Sequence, residues 1–318
     1  MSTDQRSFEP LISLGKTDLL VSPLGLGTWQ WGDRMLWGYG QTHTDNDIRA
    51  TFDVSLSAGI NFFDSAEVYG NGRSERFLGD FIRGVESPLV IATKYMPFPW
   101  RFWKGSLQTA LHHSLGRLDR KQVDLYQIHW PFPPRSVETW ANALADAVGA
   151  GLTRYVGVSN YSAAQMLRTH SALLERGLPL ASNQVEYHLL NRKAERNGLL
   201  KLCQELGVKL ISYSPLAKGL LTGKYTPASP PAGIRGRTIS RGRLKEIQPL
   251  LQRMREIGQA HAGKTPAQVA LNWLICKGTI PIPGAKNAKQ AQENAGALGW
   301  RLTADEVATL DETSNDIS

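Results

Sequence analysis

The chain has 318 residues, a formal net charge of +8, 42% hydrophobic and 20% charged residues, the composition of a globular protein with ample core. No apolar run approaches the ~20 residues that a membrane-spanning helix needs, and the polar start from Met1 to Pro10 has no signal-peptide core. The basic residues are spread along the chain apart from Arg235 to Lys245, with no interleaved aromatic stripe, which argues against a nucleic-acid partner and fits attraction of a small anion.

Ile12 to Gly15 and Leu19 to Ser22, separated by Lys16-Thr17-Asp18, predict a short hairpin. A strand–helix unit then repeats. Strand Leu24 to Thr28 precedes helix Asp47 to Ala58, with Ile48, Phe52 and Leu56 on one face. Strand Phe62 to Ala66 precedes helix Ser74 to Arg83, strand Leu89 to Lys94 precedes helix Ser106 to Leu118, and strand Asp124 to His129 precedes helix Ser136 to Val148. Strand Tyr155 to Asn160 precedes helix Ala163 to Glu175, and strand Ser182 to Tyr187 precedes helix Gly198 to Leu206. Strand Lys209 to Ser214 is followed by an insertion, Pro215 to Gly242, that its prolines and Gly233 mark as a loop. Thr265 with Pro266 opens a helix to Lys277, strand Thr279 to Pro283 follows, and helix Ala288 to Ala297 completes the series. Thr303-Ala304-Asp305-Glu306 has the form of a capping box and opens one extra C-terminal helix.

Eight apolar strands, each followed by a helix, predict an α/β fold. The count selects a closed (β/α)8 TIM barrel with an N-terminal β-hairpin, with residues 1–318 as one domain. Active sites of such barrels lie at the C-terminal strand ends. The insertion leaves that same face and is placed to cover a ligand. Cys203 and Cys276 lie in separate helical patterns, which predicts two buried, reduced thiols, no metal site and a cytoplasmic location.

Three strands end in chemically active residues: Asp64 with Tyr69 just beyond, Lys94, and His129. Adjacent parallel strands would bring these four together, because neighbours lie about 4.8 Å apart. A free phenol with a pKa near 10 is a reluctant acid. A Lys94 ammonium beside Tyr69 would ease donation of its proton. Asp64 would hold Lys94 charged, and His129 could donate a hydrogen bond to a substrate oxygen and orient it. A purely structural Asp–Lys pair and a satisfied core histidine are the alternatives. Gly25-Leu26-Gly27-Thr28-Trp29-Gln30 lacks the third glycine of a Rossmann fingerprint. The amides and hydroxyl of Ser159, Asn160 and Gln184 suit a carboxamide, and Tyr213 suits a planar ring. Asn160 as a helix cap is the competing reading. Lys218, Lys224, Arg235 and Arg237 suit phosphate, or for the arginines a solvated basic loop. Lys286 precedes a helix whose positive end favours an anion, and Gln290, Glu293 and Asn294 share its face. A surface ion pair is the other reading of Glu293.

Phe62-Phe63-Asp64-Ser65-Ala66-Glu67-Val68-Tyr69-Gly70, Ala92-Thr93-Lys94, Gln127-Ile128-His129-Trp130, Gly157-Val158-Ser159-Asn160 and Ile280-Pro281-Ile282-Pro283-Gly284-Ala285-Lys286 together resemble the aldo-keto reductases over nearly the full length. The resemblance is nearest to members from cyanobacteria and plant chloroplasts and more distant to the potassium-channel β subunits. It implies reduction of an aldehyde or ketone by NADP(H), with Asp64, Tyr69, Lys94 and His129 catalytic. It implies cofactor contacts from Thr28, Trp29, Ser159, Asn160, Gln184 and Tyr213. The segment Ser214, Pro215, Leu216, Lys218, Gly219 and Lys224, with Arg235, resembles the family's run along the pyrophosphate. Gly284, Lys286, Gln290, Glu293 and Asn294 resemble its site for the adenosine 2′-phosphate and adenine. The channel relatives keep a rival reading open, a cofactor-sensing subunit with little turnover. Trp29, Trp31, Trp37, Tyr39, Trp100, Trp103 and Trp130 are candidate walls for a small carbonyl substrate. Pyridoxal, sugars, methylglyoxal and lipid aldehydes are all compatible substrates.

Overall fold

A computed structural model of the chain describes residues 9–101, 103, 105–231, 239–315 and 317. The hairpin is short: β1 (Ile12–Ser13) pairs antiparallel with β2 (Leu20–Val21). Eight strands follow in one parallel sheet, in sequence order. They are β3 (Leu26–Gly27), β4 (Phe62–Asp64), β5 (Val90–Tyr95), β6 (Val123–Ile128), β7 (Thr153–Ser159), β8 (Leu180–Glu186), β9 (Lys209–Tyr213) and β10 (Ile280–Pro281). The barrel closes where Gly25 N donates to Pro281 O at 3.0 Å and Gly27 N to Pro283 O at 3.1 Å. Proline has no N–H to give, so Pro281 and Pro283 serve this seam as acceptors, while Ile282 N turns to Ser212 O of β9 at 3.0 Å. A Cβ on Gly27 would sit 2.9 Å from Ile282 O, so only glycine lets the first and last strands approach this closely.

Successive strand residues face opposite sides, and this alternation sorts the barrel interior. At the N-terminal end Phe62, Val90, Leu125, Ile211 and Ile280 point inward and pack on Leu14, Leu19 and Val21 around the hairpin. The hairpin therefore plugs that mouth with apolar contacts. Higher on β4, β5, β6 and β8 the inward positions are polar: Asp64, Lys94, Gln127 and Gln184, all buried. The outward residues, such as Phe63, Ile91, Tyr126 and Val158, join the larger core under the helices.

Helix starts obey capping chemistry. Ser136, Ser162, Thr265 and Asn287 each accept from the backbone N–H three residues on. The first helix, Asp45–Ser57, starts two residues before its expected position because Thr44 N and Oγ1 both donate to the Asp47 carboxylate at 2.8 Å. Among the described residues, three helices have no counterpart in the sequence analysis: Lys193–Arg196, Arg241–Glu246 and Gln248–Ala260. The last buries Leu250, Leu251, Met254 and Ile257, a 3.6-residue stripe behind the long insertion. Within that insertion, expected to be all loop, Ala217–Thr222 forms a 3-10 turn. Arg235 and Arg237 lie outside the described residues. The extra C-terminal helix, Ala304–Asn315, is held by Arg192 Nη1 on Asp311 O at 2.6 Å and by Lys277 Nζ on the Asp311 carboxylate at 3.0 Å. Both cysteines are free thiols, Cys203 buried and Cys276, expected to be buried, only partly so.

Candidate active site

At the C-terminal end of the barrel the interior opens into a cavity of 860 Å³, within the usual range for a ligand site. Asp64 closes its floor. Its Oδ2 accepts from Lys94 Nζ, and its Oδ1 accepts from Gln127 Nε2 at 3.1 Å and Gln184 Nε2 at 2.9 Å. Lys94, fully buried, also donates to Ser65 O at 2.8 Å and to Tyr69 Oη at 3.3 Å. A buried ion pair is costly to desolvate and is tolerated when its remaining lone pairs and protons are bonded, as here. Burial pushes the Lys94 ammonium down, but Asp64 and Tyr69 outweigh it and the net shift is upward. The lysine is charged.

Tyr69 stands above Lys94, with the ammonium 4.9 Å from its ring centre. Burial raises its pKa more than Lys94 lowers it, and Asp64 adds to the rise. Lys94 favours the phenolate, as the sequence predicts, but burial outweighs it, so the net shift of the phenol is upward. His129 meets the Tyr69 ring edge-on at 5.7 Å. Burial, then the Lys94 charge, lowers its pKa to about 3, so the imidazole is neutral and able to donate one N–H. Its Nδ1 is buried with no hydrogen-bond partner among the described residues.

Asn160 adopts φ 62°, a left-handed conformation that asparagine tolerates better than most residues. Its Nδ2 donates to His129 O at 3.1 Å and Ser159 Oγ at 3.0 Å, and its Oδ1 accepts from Tyr213 Oη at 3.0 Å. It is not a helix cap, because Ser162 caps the next helix. Burial, then Glu186, pushes the Tyr213 phenol up to about 12. Ser214 and Lys218 also have positive φ, 51° and 55°, and fold the segment after β9 back along the cavity. The helix Ala288–Ala295 meets the far end of the cavity. There Lys286 Nζ donates to Trp37 O and, at 3.3 Å, to Thr42 Oγ1, while Lys286 N donates to Gln290 Oε1 at 2.9 Å.

The cavity wall brings together Trp29, Asp64, Tyr69, His129, Ser159, Asn160, Gln184 and Tyr213 with Ser214, Pro215, Leu216, Lys218, Gly219 and Lys224. Gly284, Lys286, Gln290, Glu293 and Asn294 continue the same wall. Two candidates are off it. Lys94 lies behind Asp64 and Tyr69. Thr28, expected among the cofactor contacts, is fully buried, with its hydroxyl on Asp64 O at 3.0 Å and Ser74 Oγ at 2.6 Å. Among the aromatic candidates Trp29, Trp37 and Trp130 line the cavity. Trp31 is instead core, packed on Phe81, because its place just past β3 turns it outward. Trp100 and Trp103 are largely exposed, and Tyr39 packs on Phe77.

Sequence reasoning missed Gln127, Gln30 and Met96. Gln127 was detectable, since Leu125 and Gln127 share one face of β6, His129 continues that alternation just past its end, and a polar residue between two inward positions is a signal. Gln30 was not, because its placement depends on Gly284, where a Cβ would come within 2.0 Å of its amide.

A sequence profile of the Aldo/keto reductase family matches residues 23–315. The chain belongs to the aldo/keto reductase family. Among curated relatives of the family, the chloroplastic pyridoxal reductase of Arabidopsis thaliana is 43% identical over 312 residues, spanning 94% of this chain and 84% of that enzyme. An L-glyceraldehyde 3-phosphate reductase of Escherichia coli K12 is 32% identical over 94% of this chain and 90% of its own length. Among solved structures, an aldo-keto reductase from Klebsiella pneumoniae in complex with NADPH superposes with a TM-score of 0.74 at 28% identity, covering 96% of this chain and 95% of that one.

Proposed function

We propose that, in the NADPH-dependent reduction of an aldehyde or ketone that this protein carries out, Tyr69 delivers the proton to the substrate oxygen. The observation that carries this reading is the placement of the Tyr69 hydroxyl, on the cavity wall, 3.3 Å from a charged Lys94 buried behind it. Lys94 stabilises the phenolate that remains after transfer, and Asp64 holds Lys94 in place with help from Gln127 and Gln184. The neutral His129 ring donates to the carbonyl oxygen and sets its approach. NADPH, when bound, supplies the hydride that reaches the carbonyl carbon.

The residues present suit that cofactor. Lys218, Lys224, Lys286 and Lys289 line the cavity with Glu293 as the opposing carboxylate away from the paired Asp64, a surplus of positive charge for phosphates. Asn294 Nδ2 and Gln30 Oε1 are buried on its wall without a hydrogen-bond partner among the described residues, and a sugar or adenine would satisfy both. Asn160, Ser159 and Gln184 are assigned to the nicotinamide carboxamide, Tyr213 to its ring, residues 214–224 to the pyrophosphate, and Lys286 to the 2′-phosphate. The substrate end, with Trp29, Trp37, Trp130, Val68 and Met96, favours a flat, largely apolar carbonyl compound. The name of the Arabidopsis relative puts pyridoxal first. The free thiols support a reducing compartment such as the cytoplasm.

The test is loss of NADPH absorbance across a carbonyl panel headed by pyridoxal. Turnover of at least one aromatic aldehyde is expected. A flat response across the panel, with NADPH bound, would return the rival reading of a cofactor sensor.

A further inference from the structure

Glu67 lies on the turn between Asp64 and Tyr69, and the reaction described above gives it no role. Its side chain is 7% exposed and points away from bulk water, toward the end of β5. The β4–β5 ladder runs on past β4 as Ser65 N bonds Ala92 O at 2.8 Å and Glu67 N bonds Lys94 O at 3.3 Å. The chain then leaves the ladder for the Tyr69 turn. At that point Glu67 Oε1 accepts from Met96 N at 2.7 Å, so a carboxylate continues the ladder where the main chain departs. The same oxygen accepts from Arg101 Nη1, which also donates to Met96 O at 3.2 Å. The Arg101 guanidinium lies 5.3 Å from the Tyr95 ring centre and 5.7 Å from that of Phe98, and Arg101 O accepts from Ser106 Oγ at 3.2 Å. Burial lowers the Arg101 pKa, but the Glu67 bond and charge turn the net shift upward.

Three residues on the reaction side of the cavity wall, Val68, Tyr69 and Met96, thus flank one buried carboxylate. We propose that Glu67, locked by Arg101, is a positioning residue that sets the Tyr69 hydroxyl over Lys94 and the width of the substrate mouth between Val68 and Met96. Its carboxylate takes no proton in the reaction. It acts by holding two chain segments in register, one carrying the proton donor and the other a wall of the mouth. This rests on Tyr69 as the proton donor, and the experiment separates the two ideas.

The experiment measures kcat and KM for the best-reduced carbonyl of the panel, with NADPH affinity and melting temperature alongside. Glu67→Ala leaves Met96 N and Arg101 without their acceptor, and kcat is expected to fall about tenfold, short of the ~100-fold that a 1 Å misplacement can cost. Glu67→Gln keeps an oxygen for Met96 N and is expected to stay within about twofold of wild-type kcat. Arg101→Met removes the lock on Glu67 and the bond to Met96 O but leaves Glu67 on Met96 N, so kcat is expected to fall less than in Glu67→Ala while KM rises several-fold. NADPH affinity stays at the wild-type level in all three. A folded Glu67→Ala protein with wild-type kcat and KM, or equal losses in the Ala and Gln variants, would overturn the proposal. If Glu67→Ala does not fold, Glu67→Asp and Arg101→Met decide, and wild-type kinetics in both would overturn it. Retained turnover in Tyr69→Phe would remove the proton-donor reading instead, whatever Glu67 does.

Discussion

The two ends of the barrel interior are built by the same strands and have opposite chemistry. At the lower end of β4, β5 and β6 the inward residues are Phe62, Val90 and Leu125, sealed by Leu14, Leu19 and Val21. Two or four residues further along the same rows they are Asp64, Lys94 and Gln127, joined by hydrogen bonds beneath the cavity, with Asp64 on its wall. The hydrophobic end gains from burial alone, at roughly 25 cal/mol per Å². The polar end is buried just as fully, and there burial is a cost that only a closed set of partners offsets. One end holds the barrel together, and the other stores charge in a position where it can act. The comparison teaches that damage to the two ends should separate into stability and activity.

The largest separation is expected at the top. Tyr69→Phe removes the proton donor and leaves its ring, so kcat should drop by about 10²- to 10⁴-fold while the melting temperature and NADPH affinity stay close to wild type. Steady-state kinetics with fluorescence titration of NADPH checks both, and near-wild-type turnover would end the role assigned to Tyr69. The matching change below is Phe62→Ala. Phe62 is fully buried between the hairpin and the floor, so about 3–5 kcal/mol of stability should be lost, read by denaturant unfolding. Turnover per folded molecule should persist. Equal losses of activity and stability in this variant would show that the two ends are coupled after all.

A smaller effect is expected at the far end of the cavity. Lys286→Ala should weaken NADPH by about 10- to 150-fold, the worth of one charge-assisted hydrogen bond at roughly 1.5–3 kcal/mol, and weaken NADH far less. Titrating both cofactors into both proteins by tryptophan quenching measures it. If both weaken alike, Lys286 does not read the 2′-phosphate.

The smallest effect is a pH dependence. The His129 pKa falls from 6.5 to about 3, so folding favours the neutral ring. Its contribution to stability is present above the unfolded pKa near 6.5 and is lost as pH falls toward 3. No histidine inflection is therefore expected in kcat/KM between pH 5 and 8. One near pH 6.5 that disappears in His129→Asn would show that the imidazole titrates in the working range.

Much of this protein follows from local pattern. The count of strand–helix units, the caps at Ser136, Ser162, Thr265 and Asn287, and the strand-end positions of Asp64, Lys94 and His129 are set by period and by residue type within a few positions. These are short-range properties, and they hold wherever the segment sits. The helix Gln248–Ala260 is equally local, its apolar stripe at Leu250, Leu251, Met254 and Ile257 lying between the Pro215–Gly242 insertion and Thr265. What only the tertiary structure decided involves residues far apart in the chain. Gln127 and Gln184 meet on Asp64 from separate strands. Thr28 turns to Ser74 instead of the cavity, and Trp31 enters the core while Trp29 and Trp37 line the cavity. The direction of the Tyr69 shift belongs here too, because desolvation and the Lys94 charge oppose each other and their balance depends on how deeply the closed barrel buries the phenol. A sequence carries the identity of such groups. Their separation, and the water left between them, exist only once the first and last strands have met at Gly27 and Pro283.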